Sequence, residues 1–133
     1  MILVDTSVWI DYLNGVANTH TDILDSALID GTVAIADMIF LEILQGIKSD
    51  KDYQKTKRTL GTLDQYTIFG PEMVGPCADN FRTLRKKGLT IRKTTDVIIA
   101  TYCIENKLQL LFVDRDFIPF VTHLGLKPVY LKT

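Results

Sequence analysis

Ile2-Leu3-Val4-Asp5-Thr6-Ser7 opens the chain with three aliphatic residues that run straight into an acid and two hydroxyls. A second run of this kind, Leu108 to Val113, is broken only by Gln109 and ends in Asp114-Arg115-Asp116. Short runs of aliphatic and β-branched residues read as strands buried on both faces, as in a parallel sheet. In an open α/β sheet the functional crevice lies beyond the carboxyl ends of the strands. Asp5 and Asp114 are therefore expected to meet at one sheet edge, although they lie at opposite ends of the sequence. Carboxylates brought together repel, and a divalent cation relieves that repulsion.

Working outward, strands and helices alternate. Strand Ile2–Asp5 leads into a helix from Ser7 to Leu13, closed by Asn14-Gly15. A helix over Thr21–Ile29 ends at Asp30-Gly31, and Thr32–Ala36 is a short strand. Asp37 is placed to cap a helix from Met38 to about Ile47, and a polar helix covers about Lys51–Leu63. Tyr66–Phe69 reads as a strand stopped by Gly70-Pro71, followed by a helix from about Glu72 to Lys87. Thr94 or Thr95 caps a helix reaching Asn106. After strand Leu108–Val113 come a short helix, Phe117–Leu124, and an edge strand, Lys127–Leu131, with Pro128 near its start. Such alternation predicts an α/β fold, a three-layer α/β/α sandwich with a central, mainly parallel sheet. At about 100° per residue, Val97, Ile98, Ile99, Ala100, Tyr102, Cys103 and Ile104 cover nearly the whole circumference of their helix, so it is expected to be buried against the sheet.

The chain has 133 residues, 47% hydrophobic and 23% charged, which suits a single domain, residues 1–133, with one core. No apolar run approaches the roughly 20 residues that span a bilayer. The opening residues are strand-like and carry no basic n-region or small-residue cleavage site, so no secretory signal and no membrane partner are expected. Cys77 and Cys103 lack partners at metal-ligand spacing and are expected to be reduced, which points to the cytoplasm. A net charge of −1 offers nucleic acid no global attraction, so such a partner would need a local patch.

Three acids stand out from the residues alone. Asp5 ends a buried strand. Capping of the first helix by Asp5, Thr6 or Ser7 would explain one polar group there, not three in succession. Asp96 lies in the first turn of the buried helix, where the dipole favours a negative charge. It also heads the small stripe Ala100 and Cys103, and a charge aligned with a buried stripe needs a partner or a metal. Asp114 closes the second run, while Asp116 beyond Arg115 fits an ordinary solvated turn equally well. Glu42 gains nothing from periodicity: Ile39, Phe40, Leu41, Ile43, Leu44 and Ile47 form the apolar arc of its helix, and Glu42 falls outside it.

Arg82, Arg85, Lys86, Lys87, Arg92 and Lys93 form a basic stretch with no acid between Phe81 and Thr95. A solvated helix end is the plain account. Its place just before Asp96 would also let it hold a phosphate backbone beside the carboxylates, with Arg115 contributing from the other side. Trp9, Tyr12 and Phe117 lie near the expected mouth, where aromatic rings can stack on bases, although core packing accounts for them more simply.

Taken together, these residues resemble the PIN-domain ribonucleases, particularly the VapC-type toxins of bacterial and archaeal toxin–antitoxin pairs. The resemblance rests on Ile2-Leu3-Val4-Asp5-Thr6-Ser7-Val8-Trp9-Ile10, on Leu41-Glu42-Ile43 with Gly46, on Thr95-Asp96-Val97-Ile98-Ile99-Ala100, and on Leu110 to Phe117 with its Asp114-Arg115-Asp116. Order, spacing and length agree over essentially the whole chain. The resemblance implies Mg²⁺- or Mn²⁺-dependent RNA cleavage, a homodimer, and a cognate antitoxin whose tail enters the active-site groove. It implies that Asp5, Glu42, Asp96 and Asp114 form the acidic site, with Asp116 supplementary and Ser7 helping to order the metal. Asp5, Asp96 and Asp114 would be the metal ligands. Phe112 departs from the family pattern, which often has Thr at that position.

Two other readings compete. Leu111 to Asp116 resembles the strand–DxD motif of aspartyl-phosphate phosphatases, with Asp114 as nucleophile, but too little chain follows for the rest of that machinery. A non-catalytic α/β domain could use the acidic edge to hold a cation or a protein partner.

Overall fold

The protein is described from a computed structural model covering residues 1–131; the last two residues of the expected 1–133 domain lie outside the described ones. The elements are β1 (Ile2–Val4), α1 (Thr6–Leu13), α2 (Thr19–Asp30), β2 (Ala34–Ala36), α3 (Asp37–Gly46), α4 (Asp50–Leu60), β3 (Asp64–Tyr66), α5 (Pro71–Lys86), α6 (Thr94–Glu105), β4 (Gln109–Leu111), a 3₁₀ turn (Arg115–Phe117), α7 (Ile118–Leu124) and β5 (Lys127–Pro128). No helix among the described residues is long and apolar enough to cross a membrane.

Every strand pair is parallel. β4 sits between β1 and β5, with Val4 opposite Leu111, and β2 pairs with β3. A bridge between Ile2 and Val33, with the Ile2 N–H donating to the Thr32 carbonyl at 2.8 Å, joins the two ladders. The strand order is thus β3-β2-β1-β4-β5. The chain moves outward one way from β1 to β3 and the other way from β4 to β5. The β1/β4 boundary is therefore the switch point where an α/β sheet opens its crevice.

Helices flank these strands as the α/β expectation requires. α1 packs on α2 and α3, and α3 on α4; α5 packs on α6 and α7. Ile2, Leu3 and Val4 are buried, as are Leu110 and Leu111. α6 is the buried helix foreseen from its all-round apolar surface: Val97, Ile98, Ile99, Ala100, Thr101 and Cys103 are all buried. α2 ends at Gly31, whose left-handed φ of 72° turns the chain toward β2 at no steric cost.

Several boundaries differ from the sequence expectation. The third strand is Asp64–Tyr66 rather than Tyr66–Phe69, because the Ile68 N–H leaves the ladder and donates to the Asp37 carboxylate at 3.3 Å. Asp37 opens α3 from inside its first turn instead of capping it, and Thr94 and Thr95 likewise lie within α6, with Lys93 at the cap position. The β4 strand stops at Leu111. Phe112 then turns inward against Phe117, the ring centroids 5.3 Å apart, and Val113 faces solvent. On α3, Leu41 is 58% exposed, and the buried line runs through Ile39 and Ile43. Its buried centre is rotated toward Glu42.

Truncating Ile43 to Ala removes methylenes from a close-packed site and is expected to cost about 2–4 kcal/mol. Leu41→Ala is expected to cost less than about 0.5 kcal/mol, as an exposed position does. Urea unfolding of the two variants measures the difference.

Candidate active site

Asp5 follows β1 directly, and its N–H donates to the Leu111 carbonyl at 2.9 Å. That bond extends the β1–β4 ladder and fixes the acid over the switch point. Asp5 occupies the cap position of α1, yet its side chain forms no cap hydrogen bond. The capping account therefore does not dispose of the carboxylate, which is only 6% exposed. Ser7 Oγ donates to Asp5 Oδ2, and Thr6 Oγ1 to Glu42 Oε1, both at a long 3.4 Å. The hydroxyls at the start of α1 thus tie together acids from β1 and α3.

Asp96 stands in the first turn of α6, also 6% exposed. Its Oδ2 is buried and has no hydrogen-bond partner among the described residues. Asp114 caps the 3₁₀ turn, its Oδ1 accepting the Asp116 N–H at 2.9 Å. That turn swings Asp116 back toward α6. Asp96, Asp114 and Asp116 each offer an oxygen, and these atoms lie within 4.8 Å of one another. Asp116, which sequence alone left as a possible solvated turn residue, joins the tightest group, whereas Asp5 stands beside it.

The carboxyls feel each other. Burial pushes the Asp5 carboxyl up to about 6; the Thr6 and Ser7 N–H groups lie toward it and partly offset this, and the charges of Glu42 and Asp114 add to the rise. Burial likewise raises Asp96 to about 7, with Asp5, Asp114 and Asp116 adding and Lys93 opposing. Half-buried Glu42 thus faces Asp5, which the helical wheel missed by including Leu41 in the apolar arc.

A buried carboxylate oxygen without a donor, inside an oxygen-only group, is what a hard divalent cation satisfies. No histidine or cysteine belongs to the group, so a zinc-type donor set does not arise there.

The basic residues divide. Arg92 pairs with Asp116 at 3.1 Å, and Lys93 is close enough to act on Asp96. Arg82, Arg85, Lys86 and Lys87 are exposed along the last turns of α5, with Arg85 lying over the Phe81 ring at 5.6 Å. Arg115 is exposed on the 3₁₀ turn. Trp9 and Phe117 are buried core residues and offer no free stacking face, whereas Tyr12 is partly buried and its hydroxyl donates to Asp25 at 2.6 Å.

Residues 2–119 match the PIN domain, and the chain belongs to that family. Among its homologues is ribonuclease VapC11 of Mycobacterium tuberculosis, 26% identical over 119 residues, which are 88% of this chain and 89% of that one. In fold it is similar to VapBC2 from Rickettsia felis, solved bound to a DNA fragment from the promoter, with a TM-score of 0.75 at 20% identity over 96% of this chain and 97% of that one. It is also similar to FitAcB from Neisseria gonorrhoeae, with a TM-score of 0.69 at 19% identity over 90% and 92% of the two chains.

The raised carboxyls carry a stability consequence. Folded Asp5 and Asp96 hold protons more tightly than the unfolded chain does. Their contribution is therefore fully present below about pH 4 and is lost as the pH rises through 6 and 7. With a chelator present, Asp96→Asn is expected to stabilise the protein by about 1–3 kcal/mol near pH 8 and by little near pH 4. Urea unfolding at the two pH values reads the difference.

Proposed function

We propose that this protein is a divalent-metal-dependent endoribonuclease acting as the toxin of a type II toxin–antitoxin pair. The observation that carries the proposal is the set of acids from β1, α3, α6 and the β4 turn gathered at the switch point, with a buried Asp96 oxygen left unpartnered. Membership of the PIN family and a homologue named as a ribonuclease support the chemistry. The antitoxin as partner is supported by relatives solved as VapBC2 and as a toxin–antitoxin complex from Klebsiella pneumoniae.

In this reading Asp5, Asp96 and Asp114 hold Mg²⁺ or Mn²⁺, Asp116 is a supplementary ligand, and Glu42 completes the acidic site. The ion supplies neutralisation of charge on the phosphoryl oxygens and acidification of water. Glu42, which accepts a hydrogen bond from Thr6, orients the attacking water and takes its proton in this reading. Ser7 steadies Asp5. Hydrolysis joins the water oxygen to phosphorus and releases one ribose oxygen, which leaves with a proton. Arg92, Lys93 and Arg115 lie nearest the acids and meet the RNA backbone there, with Arg82, Arg85, Lys86 and Lys87 extending the contact along α5. A homodimer and a cytoplasmic location belong to the same proposal. Cys77 and Cys103, both buried and unpaired, suit a reducing compartment.

Asp5→Asn and Asp96→Asn are each expected to lower cleavage of a total RNA pool at least about 100-fold with the fold retained. Retained cleavage in either purified variant, or cleavage indifferent to a chelator, would remove the site assignment. Neutralising Arg85, Lys86 and Lys87 together is expected to weaken RNA binding and flatten its salt dependence, with Mn²⁺ affinity unchanged. Filter binding across a salt series measures the slope.

A further inference from the structure

Arg92 holds Asp116 in an unusual way for so exposed a pair. Its Nε and Nη2 groups both donate to one oxygen, Asp116 Oδ2, at 3.3 and 3.1 Å. A forked pairing would use both carboxylate oxygens. The Arg92 side chain is 77% exposed and that of Asp116 25%. An arginine carries five N–H donors, so most of those on Arg92 remain free for a second anion. A solvent-exposed pair of this kind shifts an equilibrium by at most about fivefold. Arg92 is therefore bound, yet easily exchanged.

Asp116 is at the same time one of the three acids whose oxygens converge within 4.8 Å, next to the buried, unpartnered Oδ2 of Asp96. It lies between two cations, one built into the chain and one that the acidic group would take from solution. Arg92 cannot leave the neighbourhood when displaced. It immediately precedes Lys93, the cap residue of α6, four positions before Asp96.

We propose that Asp116 exchanges Arg92 for a divalent cation, and that the released guanidinium then docks an RNA phosphate at the mouth of the site. The second half rests on the ribonuclease reading; the first does not. Arg92 is on this account a positioning residue that couples two ligands. Ion binding frees the phosphate donor, and phosphate binding frees the ion's carboxylate. By linkage each ligand tightens the other by the same factor.

Calorimetric titration with Mn²⁺ alone, on the full chain, tests the exchange. Arg92→Gln is expected to tighten Mn²⁺ binding about two- to fivefold, and to have no such effect in an Asp116→Asn background. Unchanged or weaker binding in Arg92→Gln overturns the exchange, and so does an equal gain with Asp116 absent, which would mark a general field effect. Both positions are exposed enough for the variants to fold, and thermal melting verifies it. A labelled 2′-O-methyl RNA oligonucleotide, its integrity checked on a gel, tests the coupling. Mn²⁺ is expected to strengthen its binding to the wild type and to lose most of that gain in Arg92→Gln. An equal gain in both proteins overturns the phosphate half. A wild type that binds no RNA overturns that half together with the ribonuclease reading, while the Mn²⁺ titration still decides the exchange.

Discussion

Parallel pairing of β1 with β4 is the constraint on which the rest depends. Val4 lies opposite Leu111, and the next bond in the ladder runs from the Asp5 N–H to the Leu111 carbonyl. A slip of one residue would turn every side chain on β1 to the other face, and Asp5 would lose its place over the crevice. Hydrophobic burial holds that register, since Leu3, Leu110 and Leu111 have no measurable exposure. The apolar core therefore sets the position of a charged group that it would not itself tolerate.

The carboxylates carry an electrostatic cost in return. Two of them are taken almost wholly out of water, and both are pushed toward neutrality by burial first and by each other second. Natural proteins place such costs where chemistry needs them. Here the cost is spread over elements from both ends of the chain. β1 and α1 bring Asp5 with its hydroxyls, α3 brings Glu42, α6 brings Asp96, and the turn after β4 brings Asp114 and Asp116. Arg92 and Lys93 at the head of α6 offset part of the charge from within the chain. A metal would offset the rest, which ties ion binding to the packing of α6 on the sheet.

Phe112 shows how a departure from the family pattern is absorbed. Its ring, 3% exposed, packs against Phe117, and the chain leaves the strand two residues earlier than the apolar run to Val113 suggests. A hydroxyl is lost at that position, but the aromatic pair anchors the 3₁₀ turn that carries Asp116 to the other acids.

What the linear order determined was the kind of structure and most of the acids that the fold brings together. Two aliphatic runs ending in aspartates, helices between them, and a helix apolar on all sides around Asp96 are local signals, and local propensity and periodicity are legible without coordinates. What only the tertiary structure decided was membership and pairing. Asp116 could not be separated from a solvated turn residue until the turn was seen folding back toward Asp96, and Arg92 could not be separated from its basic neighbours until it was seen on Asp116. Glu42 was misplaced because a helical wheel weighs residue type alone. Leu41 is apolar and exposed, Glu42 acidic and half-buried, since the buried side of a helix is chosen by what packs against it. Hydrophobicity acts through the nearest turn or two of chain, whereas the meeting of charges depends on where several elements end in space.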